Sequence, residues 1–439
     1  MNGHISFNEY SNILKKVQTI EFSGQVTQVV GLTVESRGPA VKLGEVCHLY
    51  SLDQKDYVNA EVVGFSNERV LLMPLGELKG IGPGSLVIST NQPFMLPVGK
   101  ELLGRVLDGL GNPIDGKGII KAKDWISISN SPPNPLKRQR IHKPLRFGIR
   151  AIDGLLTCGQ GQRMGIFAGS GVGKSTLLGM IARNADADIN VIALIGERGR
   201  EVREFIEKDL KEEGLKKSVI VVATSDQPAL IRIKGALVAT AIAEYFRDQG
   251  KNTMLMMDSL TRLAMAQREV GMAIGEPPVA RGYTPSVFAM LPKLLERAGN
   301  SDKGSITGLY TVLVDGDDFN EPISDTVRGI LDGHIILSRS LANRNHYPAI
   351  DVLSSVSRVM PDIVSDIVLS DASHIKRLMA AYNEARDLIN IGAYHRGTNR
   401  EVDEAMDKIN AINEFLQQKV DETQEMDITI HKMAELCKN

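Results

Sequence analysis

The sequence predicts an N-terminal antiparallel β-barrel, a central α/β core on a mainly parallel sheet, and a helical C-terminal domain. Three observations carry this reading. Short β-rich runs separated by Gly, Asn and Ser fill residues 19–95, the spacing of a small closed sheet. Strand-like apolar runs alternate with helix-like ones from about 150 to 345, around Ala168-Gly169-Ser170-Gly171-Val172-Gly173-Lys174-Ser175, the order expected of a covered parallel sheet. Beyond about 362 the apolar residues recur at helical spacing.

Taken in order, residues 1–18 read as an amphipathic segment. Ile5, Ile13, Leu14 and Val17 fall near helical spacing, with Lys15 and Lys16 alongside. It is either a frayed terminal helix or a docking helix for a partner or a membrane surface. In the barrel region 19–95, Gln25–Val30, Ala60–Val63 and Val70–Met73 are candidate strands. The core is expected over 96–361, with a linker near 129–146 marked by Ser131-Pro132-Pro133-Asn134-Pro135. Lys137 to Arg146 holds five Lys or Arg residues but no interleaved aromatics. That favours a solvated connector over a nucleic-acid surface, where bases need stacking partners. Val191–Ile195, Val219–Val222 and Met254–Met257 are candidate buried parallel strands. In the helical domain 362–439, Ile375, Leu378, Met379 and Tyr382 trace one face and Val402, Ala405, Ile409, Ile412 and Leu416 another. Thr398-Asn399-Arg400-Glu401 has the pattern of a capping box before the second face.

Composition narrows the class. The 439 residues have room for about three domains of ~150 each. Hydrophobic residues at 43% and charged ones at 24% suit a globular protein rather than a disordered chain. A net charge of -2 gives no global attraction to nucleic acid or anionic lipid. Cys47, Cys158 and Cys437 lie far apart with no CxxC, which argues for a reducing compartment and against a zinc site. No apolar run approaches the ~20 residues that span a bilayer, and no secretory leader is recognisable. A cytosolic protein is expected, with peripheral membrane attachment compatible.

The segment Ala168–Ser175 has the pattern of a phosphate-binding loop. It lies between the strand-like Met164–Ala168 and the helix-like Thr176–Ala182, as the motif requires. The glycines let backbone N–H groups of Gly169, Ser170, Gly171, Val172, Gly173, Lys174, Ser175 and Thr176 turn toward phosphate oxygens. Lys174 can reach the β- and γ-phosphates, and the Ser175 hydroxyl can ligate Mg²⁺. Hydrolysis asks for more: a second metal partner, a group to orient water, and positive charge for the transition state. Asp258 follows the apolar run Met254–Met257, at the carboxyl end of a buried strand, where a carboxylate can hold Mg²⁺. Ser259 is not acidic, so the water-orienting carboxylate comes from elsewhere. Glu197 ends the run Val191–Gly196, on the side where ligands bind such sheets. On pattern alone, Gly196–Glu201 reads equally as a solvated charged loop.

These segments together resemble the motif series of the rotary ATP synthase superfamily. The series comprises Ala168–Thr176, Gly196-Glu197-Arg198-Gly199-Arg200-Glu201, Asp258-Ser259-Leu260-Thr261-Arg262, Tyr347-Pro348-Ala349-Ile350-Asp351 and Ser355-Val356-Ser357-Arg358, in family order. The resemblance spans barrel, core and helical end. It implies Mg-dependent ATP hydrolysis. Glu197 would orient the attacking water, with Glu201 in the same loop and Arg198 supporting that loop. Arg262 would approach the phosphates or the catalytic carboxylate, and Tyr347 would stack on adenine. Arg358 would be an arginine finger reaching a neighbouring subunit's nucleotide.

One chain carrying both Glu197 and Arg358 can build a ring of identical subunits through heterologous contacts; the family implies a homohexamer. The segment Leu388-Ile389-Asn390-Ile391-Gly392-Ala393-Tyr394, together with Asp315–Asp325 and Gly329–His334, resembles the ATPases of type III protein export, closer to the flagellar branch than to the injectisome branch. By that resemblance, Gly275–Tyr283 lines a central pore that receives a coiled-coil stalk protein. The N-terminal segment meets a regulator dimer, and the export gate and exported proteins or their chaperones complete the partners. The location implied is cytoplasmic, peripherally associated with the inner membrane at the export apparatus. The rivals are an injectisome ATPase, a hexameric RNA helicase and a non-catalytic ATP synthase-like ring subunit. No nucleic-acid partner is expected, since residues 19–95 show no cluster of aromatic with basic residues.

Overall fold

A computed structural model of the protein describes residues 22–314 and 318–438. The amphipathic segment expected at 1–18 lies outside the described residues. Contacts divide the chain into two compact units. One is built on the residues up to Met95 with Met272–Glu276, the other on Leu96–Gly271 with Pro277 onward.

The first unit is a closed barrel of six antiparallel strands: β1 (Ser23–Val30), β2 (Thr33–Arg37), β3 (Glu45–Tyr50), β4 (Tyr57–Ser66), β5 (Arg69–Pro74) and β6 (Leu86–Pro93), in the order β1-β2-β5-β4-β3-β6. The three runs read as strands from the sequence fall in β1, β4 and β5. Val26, Val34, Cys47, Leu49, Ala60, Val62, Val70, Leu72 and Val87 fill its interior. They alternate along their strands because successive side chains point to opposite faces.

In the second unit, β7 (Met95–Val98) and β9 (Asp124–Ser127) form a small ribbon, and β8 (Val106–Asp108) joins the main sheet. That sheet continues with β10 (Arg163–Ala168), β11 (Ile189–Ile195), β12 (Ser218–Ala223), β13 (Asn252–Asp258), β14 (Gly299–Asn300), β15 (Ser305–Leu313), β16 (Gly333–Leu337) and β17 (Ile350–Ser357). The path is β17-β16-β10-β15-β13-β11-β12-β8, with β14 on β15. All neighbours run parallel except β17 on β16 and β14 on β15. Every residue of β11 and β12 is buried, which explains their continuous apolar texture: parallel strands are covered on both faces.

The register sets up the site. Leu194 of β11 pairs with Asp258 of β13, and Ala168 of β10 with Leu313 of β15. The carboxyl ends of these four strands therefore finish on one edge, where Glu197, Asp258 and the glycine-rich loop emerge together.

The C-terminal helices Asp366–Asn390, Arg400–Leu416 and Met426–Cys437 cluster in the second unit with the sheet. Ile375, Leu378, Ala405, Ile412 and Leu416 join its core, while Met379 and Tyr382 are half-buried. One local expectation is corrected. The N-cap of helix Arg400–Leu416 is Asn399, not Thr398: its Oδ1 accepts from Glu401 N (2.9 Å) and Val402 N (3.4 Å). The Thr398 hydroxyl instead donates to His395 O (2.7 Å). Asn caps at least as well as Thr, and placing it here starts the helix one residue later. The basic stretch is also less free than a connector would be. Arg138 donates to Ala298 O (2.8 Å), and Arg146 pairs with Asp186 (2.6 Å) and Glu425 (2.9 Å). Among the described residues no helix is long and apolar enough to cross a membrane.

Candidate active site

The glycine-rich loop leaves β10 and turns directly into the helix Lys174–Asn184. Gly173 caps that helix with a left-handed φ of 87°, and no side chain bonds the first-turn amides. Glycine adopts this conformation without the steric penalty of a Cβ. The uncapped N–H groups and the positive end of the helix make a ready anion site. Val172 is buried and pins the loop from beneath.

Two clefts meet at this loop, sharing Gly171, Gly173 and Thr176. The first, about 440 Å³, is lined by the loop with Glu197, Arg198, Glu201, Arg262, Leu313 and Val314. Here Lys174 Nζ lies 2.5 Å from Asp258 Oδ1 and 3.8 Å from Glu197 Oε1. Arg262 Nε lies 3.4 Å from the same Glu197 oxygen. Lys174, Glu197, Asp258 and Arg262 thus form one cluster, although Lys174 and Asp258 stand 84 residues apart in the chain. Its acids are deeply placed: Glu197 and Asp258 are 7% and 4% exposed.

That burial shapes the electrostatics. The Glu197 carboxyl is pushed up to about 7, first by loss of hydration and then by the neighbouring Asp258 charge. Lys174 and Arg262 pull the other way, and a hydrogen bond shared with Glu201 favours the protonated form. Although Arg262 is within ion-pair distance, Glu197 Oε1 makes no hydrogen bond, and neither does Arg262 Nε. A buried carboxylate oxygen with an unused lone pair, in the lining of the phosphate-loop cleft, is suited to hold a water molecule. Asp258 is oriented by the Thr311 hydroxyl, which donates to Oδ1 (2.7 Å). The Asp258–Ser259 and Tyr347–Pro348 peptide bonds are both cis.

Gly196 explains how Arg262 reaches the cluster. Its φ is 71°, and a Cβ there would lie 2.7 Å from Arg262 Cδ and 2.9 Å from Arg262 Cβ. The arginine stem packs over bare backbone to reach Glu197. Arg198, by contrast, is exposed and only approaches Glu201 (3.4 Å).

The second cleft, about 860 Å³, runs from the same loop between Asn345-Tyr347-Pro348 and residues Glu414–Glu422. The Tyr347 ring lies against Gly173, about 3.4 Å from where a Cβ would stand, and remains 40% exposed. Its backbone carbonyl accepts from Gln418 N (2.9 Å), which fastens the far wall. This is a size and lining that a purine and ribose can enter. Sequence reading missed Thr311 and the wall Glu414, Gln417, Gln418 and Val420. The sequence offered no local signal, because these residues carry no motif and stand far along the chain from their neighbours in space.

Arg358 lines neither cleft. It is exposed at the end of β17, its backbone N–H donating to Asp332 O (3.0 Å) and its guanidinium only 3.5 Å from Arg328 O. Within one chain, therefore, the phosphate cleft holds Lys174 and Arg262 as its inner cations and does not hold Arg358. Ser175 and Asp258 supply a hydroxyl and a carboxylate at the loop. No cluster of three or more His, Cys, Asp or Glu capable of holding a metal occurs among the described residues. A cation here would share its remaining positions with phosphate and water, as Mg²⁺ commonly does.

Comparison with known proteins agrees with this architecture. Residues 148–357 match the nucleotide-binding domain of the ATP synthase alpha/beta family, and 26–91 match its β-barrel domain. Residues 364–435 match the T3SS EscN ATPase C-terminal domain. A flagellum-specific ATP synthase of Bacillus subtilis is 57% identical, with 95% of each chain covered. A type 3 secretion system ATPase of Xanthomonas euvesicatoria is 54% identical over 94% of this chain and 93% of that protein. Assembled EscN of enteropathogenic E. coli, solved in complex with its central stalk EscO, superposes with a TM-score of 0.88 at 48% identity. The match covers 94% of this chain and all of that one.

Proposed function

From the fact that the chain belongs to the ATP synthase alpha/beta family, we propose how its site works and where it acts. The protein is an ATPase that energises type III protein export. Its relatives include flagellar and injectisome enzymes at nearly equal identity, 57% and 54%. We assign it to the flagellar branch, supported by the segments Leu388–Tyr394, Asp315–Asp325 and Gly329–His334, which resemble that branch more closely. It acts as a homo-oligomer, a hexamer by family, around a central stalk, as assembled EscN does with EscO. The regulator dimer at the N-terminal segment, the export gate, and a peripheral position on the inner membrane belong to this same reading.

The observation that carries the mechanism is the cluster Lys174–Asp258–Glu197–Arg262 at the mouth of the phosphate loop. The backbone N–H groups of Gly169–Thr176 receive the β- and γ-phosphates. Lys174 leaves Asp258 and moves to the phosphate oxygens, so its charge follows the substrate. Ser175 and Asp258 would hold Mg²⁺, which when bound neutralises charge on the β- and γ-oxygens. Glu197 accepts a hydrogen bond from the attacking water and aligns it with the γ-phosphorus. Arg262 keeps Glu197 in place, and Arg198 and Glu201 steady the loop. Tyr347 stacks on the adenine. Arg358 of one subunit supplies the last positive charge to the nucleotide of the next.

Glu197→Gln tests the assignment. It keeps size and hydrogen bonding but removes the charge that orients water. ATP affinity, read by binding of a fluorescent analogue, is expected to hold, while turnover drops by roughly 10²–10⁴. Unchanged turnover would remove Glu197 from the mechanism. RNA-stimulated hydrolysis would favour a helicase.

A further inference from the structure

A third cleft, distinct from the nucleotide clefts, lies in the same unit where β17 and the turn after Arg339–Asn343 meet the helices Asp366–Asn390 and Arg400–Leu416. Its volume is about 320 Å³. On the first helix, Met379, Tyr382, Asn383, Arg386 and Asn390 fall on one face at spacings of three, four and seven. The sequence had marked Met379 and Tyr382 as part of an apolar helical face. In the structure that face stops short of the core here and turns polar.

The polar lining is cationic and donor-rich. Arg344, His346, Tyr382, Asn383, Arg386 and Asn413 all face the cleft. Among the described residues neither Arg344 nor Arg386 forms an ion pair, and Tyr382, Asn383 and Asn413 make no side-chain hydrogen bond. His346 is 93% buried by its 7% exposure. Its Nδ1 meets Gln417 Nε2 at 3.3 Å, leaving Nε2 with no protein partner among the described residues. The acid in the lining, Asp351, is turned toward Ser354, accepting from Ser354 N (3.1 Å) and Ser354 Oγ (2.9 Å), and the two arginines outweigh its charge. Two free guanidinium groups beside amide, phenol and imidazole donors, with the carboxylate turned toward Ser354, form a lining complementary to an oxyanion.

We infer that this cleft is a binding site for a small oxyanion-bearing ligand, held between Arg344 and Arg386 and hydrogen-bonded by the amides of the C-terminal helices. Phosphate and carboxylate share the chemistry that two arginines recognise. The volume admits a small metabolite rather than a folded partner. The site would also be well placed to influence ATP, because Gln417 reaches His346 on one side and lines the base cleft on the other.

Calorimetric titration of the full-length protein tests this, with the nucleotide cleft first saturated by Mg²⁺ and a β,γ-imido ATP analogue so that the phosphate loop is occupied. Inorganic phosphate is the probe in one arm and malonate in the other, which separates the two anion sources. Saturable binding of at least one is expected, weakened roughly tenfold or more in Arg344→Ala/Arg386→Ala. Arg386→Lys, which keeps the charge and loses the fork, is expected to fall between them. ATP hydrolysis by the double variant reports that it is folded. No binding of either anion to the saturated protein, or equal binding by the folded double variant, would overturn the site.

Discussion

In the proposed nucleotide site, the phosphate end stands on the carboxyl ends of buried parallel strands, whereas the proposed base end is assembled from loop residues at the surface. Glu197 and Asp258 are less than a tenth exposed and are held against Lys174, Arg262 and Thr311. Tyr347 is 40% exposed and faces a wall contributed by residues after Glu414. The difference separates chemistry from affinity. The phosphate end places charges in a low-dielectric setting where small displacements are costly. The base end offers a stacking surface that tolerates change. Substitutions at the first are therefore expected to act on turnover, and at the second on binding.

The largest effect lies outside both clefts. Arg358→Ala is expected to lower turnover by roughly 10³-fold or more, with single-subunit nucleotide affinity unchanged in a binding assay. Retained turnover would mean that the phosphate cleft is complete within one chain. Gly196→Ala comes next. The new Cβ would occupy the path of the Arg262 stem and require a left-handed φ of 71°. Displacing Arg262 by about 1 Å is expected to cost roughly 10²-fold in kcat with little change in KM. An equal loss in both would instead indicate disturbance of the whole loop.

Acid sharpens the comparison further. With its carboxyl raised to about 7, Glu197 is protonated below that pH in the nucleotide-free enzyme and loses the negative charge that orients water. The pH profile of kcat/KM for ATP is expected to fall about tenfold per unit below ~7. Glu197→Gln should flatten that limb. The stability sign is opposite. Because the folded-state value lies above the ordinary 4.5, the folded protein binds the extra proton between these values. Its contribution is thus lost as pH rises through that window. The mildest change is Tyr347→Ala. Loss of a base-stacking surface worth about 1–3 kcal/mol is expected to raise KM for ATP roughly tenfold and leave kcat nearly intact. A collapse of kcat would mean that the base end takes part in the chemistry.

The same division decides what the sequence made legible. The phosphate end could be read because its parts are local: a loop of eight residues, and single acids placed just after apolar runs whose strand character was plain. Parallel register then put Leu194 beside Asp258, a pairing the runs themselves could not specify. The barrel was legible for the same reason, in short alternating strands around Val26, Ala60 and Val70. The base-end wall was not. Gln417 and Gln418 reach Tyr347 and His346 across about 70 residues of chain, and polar side chains in a loop announce no partner. The cap at Asn399 was missed by one position because Thr and Asn both favour that role. Gly196 stood in a recognised segment, yet its reason, the passage of Arg262, appears only in three dimensions.

The central claim is that an ATP-hydrolysing site of this protein is completed by Arg358 of a neighbouring subunit. The direct measurement mixes Arg358→Ala subunits with Lys174→Ala subunits, each inactive alone, and follows ATP hydrolysis across the mixing ratio. A mixed ring contains interfaces where an intact Lys174 site meets an intact Arg358. Activity is therefore expected to rise above both parents and peak at intermediate ratios. If cross-linking shows that mixed rings form and no ratio exceeds the parents, the shared site is contradicted.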